Sequence, residues 1–156
     1  MKSIVLAVLM LISINAFANG QIATLINYES TAARPSSQGD DNVTSIVNTA
    51  IEYTLPINVS FHGGFSFVLG ERFESGITLG SRYYSATPLF QAFTGVPVWS
   101  YIGGGISFLE NAVYYPEAGF RIALSNASRV DVYMKILNSS NDTYDNHVMI
   151  GAGLTF

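Results

Sequence analysis

The feature that most constrains this chain is an alternation of apolar and polar residues with a period of two. It recurs in short segments from residue 42 to Phe156. In residues 42–55, Val43, Ser45, Val47, Thr49, Ile51, Tyr53 and Leu55 share one face. Thr44, Asn48, Ala50, Glu52 and Thr54 share the other, with Ile46 as the exception. Successive side chains of a β-strand point to opposite sides, so each such run predicts a strand with one apolar face. Phe61, Phe65 and Phe67 oppose Ser60, His62 and Ser66 in the same way, and Ile77, Leu79 and Tyr83 oppose Thr78, Arg82 and Tyr84. Further along, Ile102 and Ile106 oppose Tyr101 and Ser107, Phe120 and Ile122 oppose Glu117 and Arg121, and Val132 and Met134 oppose Asp131 and Lys135. Pro56-Ile57-Asn58 and Ser125-Asn126-Ala127 separate runs as tight turns. With a first strand near residues 21–29, whose facing the sequence leaves unassigned, the count is eight.

One stretch invites a different reading. Residues 83–109 carry no charge and are long enough to cross a bilayer as a helix. They also contain Pro88, Gly95, Pro97 and Gly103-Gly104-Gly105, which break helices, so strands are the expectation there too.

Ahead of the strands, Lys2, the apolar stretch 4–14 and Ala16-Phe17-Ala18 have the charge, length and small-x-small ending of a cleaved secretory leader. The expected organisation is therefore a signal peptide over residues 1–18 and one domain over residues 19–156. Losing Lys2 leaves six basic against eleven acidic residues, a net charge of −5. No basic cluster exists, which argues against nucleic acid as a partner. There is no cysteine, so neither disulfides nor a lipid-modified cysteine can hold or anchor the exported chain.

Alternation alone would also suit a soluble β-sandwich, whose apolar faces meet inside. Three features favour a membrane barrel. Charged residues make up only 12% of the chain, about half the usual ~25%, while aromatics reach 13%; this is too little charge to cover a soluble surface. The polar faces are small and glycine-rich, as a narrow lumen requires. Short links at 56–58 and 125–127 alternate with longer polar links at 31–41 and 138–146, as expected of outer-membrane barrels. Residues 86–98 are long where a short turn is expected.

The run Val148-Met149-Ile150-Gly151-Ala152-Gly153-Leu154-Thr155-Phe156 resembles the terminal strand of bacterial outer-membrane barrels, which the barrel assembly machinery reads. Its signal positions would be Val148, Ile150, Ala152, Leu154 and Phe156. Arg82-Tyr83-Tyr84, Tyr101-Ile102-Gly103-Gly104-Gly105-Ile106 and residues 116–125 resemble the small eight-stranded superfamily that includes the outer membrane protein A barrel domain and the outer membrane protein X–Ail group. The resemblance implies an all-β, up-and-down transmembrane barrel in the outer membrane. Outer-membrane lipids and lipopolysaccharide would surround it, and it would be a monomer.

On this facing, Glu52, Arg82, Arg121 and Asp131 point inward, each three residues from the short-turn end of its strand. Two acids and two bases at similar depth predict a neutral ion-pair layer, because buried charges require partners. The layer reads as a structural plug, or alternatively as the gate of a narrow solute channel. His62 and His147, also inward, suit hydrogen-bonded interior positions better than catalysis. No residue spacing suggests a metal or cofactor. Lipid A deacylases, which are barrels of similar size, carry His-x-Ser on the penultimate strand. Here Ser139 and Ser140 have no histidine two residues before them, and a serine without a base is a poor nucleophile. The acidic residues Asp40, Asp41, Glu71, Glu74, Glu110, Asp142 and Asp145 fall in the links, against Arg34 and Arg72. They read as solubilising surface or as a site for cations.

Overall fold

The computed structural model describes residues 20–35, 43–70, 73–92, 95–140 and 142–156. Residues 1–18, expected from the sequence to be a leader, and the link residues Asp40, Asp41, Glu71 and Arg72 lie outside them. Among the described residues every regular element is a strand. These are β1 (Gln21–Ala33), β2 (Val43–Thr54), β3 (Val59–Gly70), β4 (Glu74–Tyr84), β5 (Phe90–Ala92), β6 (Val96–Phe108), β7 (Ala112–Ala123), β8 (Arg129–Ser139) and β9 (His147–Thr155).

Eight of them form a closed antiparallel barrel. Each strand pairs with the next along the chain, β4 pairs with β6, and β1 pairs with β9 to complete the ring. Closure removes the unpaired edges that an open sheet would present. One rim, the turn rim, carries the β2–β3 and β7–β8 connections, the start of β1 and the end of β9. Its β2–β3 turn is closed by a bond from the Leu55 amide to the Val59 carbonyl (2.8 Å), with Asn58 at φ 61°. Asparagine tolerates that left-handed conformation better than most residues.

The unassigned β1 places Leu25, Asn27 and Glu29 inside and Ile22, Ile26 and Tyr28 outside. The uncharged stretch 83–109 is strand, not helix: it spans the end of β4, all of β5 and β6. Residues 86–98, too long for a turn, fold back as a hairpin in which Phe90, Gln91 and Ala92 of β5 pair with Val98, Pro97 and Val96. β4 stops pairing with β6 at Tyr84–Tyr101, so this hairpin extends the wall beyond the ring on one side.

The contrast between short and long links is weaker than the sequence suggests. The strands reach further than the turn residues imply: β1 continues to Ala33, β3 to Gly70 and β8 to Ser139. On the far rim, the links between Gly70 and Glu74 and between Phe108 and Ala112 are therefore as short as any turn. Ladder pairing captured polar residues that in isolation read as loop.

Inside, the barrel is layered. Seventeen buried side chains are polar or charged and thirteen are hydrophobic, among the described residues. The hydrophobic ones concentrate at the far rim, where Ile46, Val68, Val113, Tyr115, Leu137, Tyr144 and Met149 pack together. Ile46 is thus an inward residue of this cluster, which is why it breaks the polar pattern of its face. The interior is not uniformly small and polar.

Candidate functional site

Arg82 and Arg121 organise the interior next to the turn rim. Arg121 donates from Nη1 and Nη2 to the two carboxylate oxygens of Glu52 (2.7 and 3.0 Å) and from Nε and Nη2 to those of Asp131 (both 2.7 Å). Arg82 Nη1 donates to Asp131 Oδ2 at 3.0 Å and lies 3.8 Å from Glu52 Oε2. The four inward residues named from the sequence therefore meet in one network, and Glu52 and Asp131 are fully buried.

The layer is not the neutral set of two and two. Glu117 joins it, accepting from Arg82 Nε at 2.6 Å and Nη2 at 3.3 Å. Glu117 shares the inward face of Arg121 but lies farther from the short-turn end, so it was not expected in the layer. In the sheet, Gly103 is the register partner of both Arg82 and Glu117, so the two flank a single glycine. A Cβ at Gly103 would lie 3.0 Å from both Arg82 Cγ and Glu117 Oε1, and 2.5 Å from the Ser81 carbonyl oxygen. The glycine therefore leaves the space in which the two side chains meet. Neutral donors offset the excess carboxylate: Ser60 Oγ and Tyr84 Oη each donate to Glu52 Oε2 at 3.3 Å. Aromatic faces complete the shell. The Arg82 guanidinium lies 4.8 Å from the Tyr101 ring centre, and that of Arg121 4.5 Å from the Tyr84 ring centre. Such contacts stabilise a cation withdrawn from water.

A second polar layer lies deeper. Lys135 pairs with Glu29, whose Oε1 also accepts from Tyr133 Oη (2.7 Å) and Asn48 Nδ2 (2.8 Å). Inward alternation identified Lys135, but Glu29 was hidden because β1 carries apolar residues on both faces. His62 Nε2 lies 3.4 Å from Tyr115 Oη, and His147 Nδ1 donates to the Asp145 carbonyl at 3.1 Å. Both histidines are buried. Ser139 Oγ is tied to the Ala112 carbonyl (3.1 Å).

Little space remains between these layers. The cavity bounded by Asn27, His62, Thr78 and Glu117 measures about 10 Å³, roughly the volume that one water centre occupies. At the far rim Tyr144 Oη donates to Glu74 Oε2 (2.6 Å), drawing the β8–β9 link over the apolar cluster. Burial and the Glu74 carboxylate both hold the Tyr144 hydroxyl in its protonated form, well above its ordinary range.

The positions that resemble an assembly signal, Ile150, Ala152, Leu154 and Phe156, are exposed on the outer wall, and Val148 is half-buried. The chain matches no protein-family model and no curated protein.

Proposed function

We propose that this chain is an exported integral protein of the bacterial outer membrane, a monomeric barrel with a side-chain-filled lumen and a structural or surface-interaction role. The observation that carries the reading is the inverted distribution of polarity. Large apolar side chains stand exposed on every barrel strand, among them Ile26, Ile51, Phe65, Leu79, Ile102, Phe120, Met134 and Ile150. Among the described residues the ion pairs are inside. Soluble monomers rarely expose contiguous apolar patches beyond a few hundred Å². A belt of this kind around a closed barrel is what hydrocarbon requires, because closure satisfies every backbone group internally.

In this reading the outer-wall positions of β9 with Phe156 serve recognition by the assembly machinery, and lipids with lipopolysaccharide are the surrounding partners. A plug is supported over a solute channel by the occupied lumen and the apolar cluster at the far rim. The plug reading predicts no large, stable openings in planar bilayers.

The deciding experiment is cell fractionation with gel mobility before and after heating. A membrane-bound band whose mobility shifts on heating is expected. A soluble periplasmic pool would overturn the proposal.

A further inference from the structure

The turn rim holds a second feature that the ion layer does not use. A cavity of about 370 Å³ opens there, with Arg121 and Tyr84 as its floor and Trp99, Arg129, Asn58 and Asn126 among its walls. That volume falls within the range of small-molecule pockets. The wall is raised where Trp99 stands. Trp99 is the register partner of Arg121 and belongs to the part of β6 that runs beyond β4. Bonds from the Ser85 amide to the Ser100 carbonyl and from the Leu89 amide to the Val98 carbonyl (both 2.8 Å) hold that extension. The hairpin that made residues 86–98 too long for a turn thus lifts a half-buried tryptophan over the mouth.

The chemistry of the lining is specific. Arg121 is saturated by Glu52 and Asp131. Arg129 is not: its described side-chain bond goes to a neutral acceptor, Gln21 Oε1, at 2.5 Å. No aspartate or glutamate occurs among the described residues that line the cavity. It therefore offers the Trp99 indole, one guanidinium with donors to spare, and several neutral amides and hydroxyls.

We propose that this vestibule binds a small sugar acid. The apolar face of the sugar ring lies on Trp99, its hydroxyls meet Asn58 and Asn126, and its carboxylate pairs with Arg129. Guanidinium–carboxylate pairing is strong and directional, and an aromatic face with a polar surround suits a ring that is apolar on one side only. The inference rests on the closed barrel and its raised rim, independently of what surrounds the outer wall.

Trp99 is the single tryptophan of the chain, so its fluorescence reports the site directly. The full chain, purified in detergent, would be titrated with glucuronate, glucose and acetate. A saturable change with glucuronate is expected, with glucose at least about tenfold weaker for want of the charge-assisted bond and acetate silent for want of a ring. Arg129→Gln should bring glucuronate down to the level of glucose, and Trp99→Phe should weaken glucuronate binding measured by calorimetry. A folded protein that gives no saturable response to glucuronate would overturn the proposal, as would equal affinity for glucose or acetate. The heat-dependent gel shift monitors folding separately, so failure of the barrel reading and failure of this site give different results.

Discussion

Replacing Arg82 by methionine removes a cation that serves three carboxylates. Glu117 loses both of its guanidinium bonds, at 2.6 and 3.3 Å, and Asp131 loses one at 3.0 Å but keeps its two from Arg121. Methionine is also unbranched and occupies a similar volume, so the packing loss alone is less than ~1.5 kcal/mol. The uncompensated carboxylate is the larger effect. Removing one partner of a buried pair typically costs about 3–5 kcal/mol, whereas replacing both by apolar groups is close to neutral. Arg82→Met should therefore lower stability by about 3–5 kcal/mol, and Arg82→Met with Glu117→Leu should recover most of that loss. Urea unfolding in phospholipid vesicles, followed by Trp99 fluorescence and the gel shift, gives both values. A single variant that loses less than about 1 kcal/mol, or a double variant no more stable than the single, would refute the view that Glu117 depends on Arg82.

Three further outcomes follow from the same geometry. Gly103→Val forces a side chain into the gap between Arg82 and Glu117 and should cost at least about 1–3 kcal/mol of overpacking in the same unfolding assay. Tyr144→Phe removes the bond to Glu74 and should cost about 1 kcal/mol near neutral pH. Because burial and then Glu74 raise the Tyr144 hydroxyl in the folded chain, its contribution is complete below the unfolded value of about 10 and fades at higher pH; the gap between wild type and Tyr144→Phe in unfolding midpoint should narrow there. Phe156→Ala should reduce the amount of heat-modifiable protein in cells while lowering the unfolding free energy of the purified barrel by no more than about 1 kcal/mol; a larger loss would assign Phe156 to stability instead of assembly.

Strands with one strongly apolar face were legible because the outer wall and the filled interior of a closed barrel impose opposite demands on neighbouring residues. That is why Arg82, Arg121, Glu52 and Asp131 could be brought together from alternation and their shared distance from the short-turn ends. β1 was not legible: Leu25 and Ile26 are adjacent and apolar, and only closure against β9 decides which one turns inward. Glu117 was missed because depth was counted along single strands, whereas tilt and the bare Gly103 bring it beside Arg82. The far-rim cluster was obscured because Ile46 looks like an exception on its strand until it is seen to converge with Val68 and Met149. The β5 hairpin was invisible because Pro88, Gly95 and Pro97 signal a loop, and only its pairing with β6 gives it a role.

The seam between β1 and β9 joins the two barrel strands farthest apart along the chain, through bonds in both directions between Thr24 and Phe156 (2.7 and 3.0 Å). Every other neighbouring pair can form as a local hairpin, but this one requires seven strands to be in place already. The entropy of closing so long a loop falls on a single step, which should be the slow one in folding. Until it is taken, two unsatisfied edges stay open to other chains. A circularly permuted variant that tied β9 to β1 through a short linker and opened the β2–β3 turn would relocate that bottleneck without altering a single wall contact outside the cut.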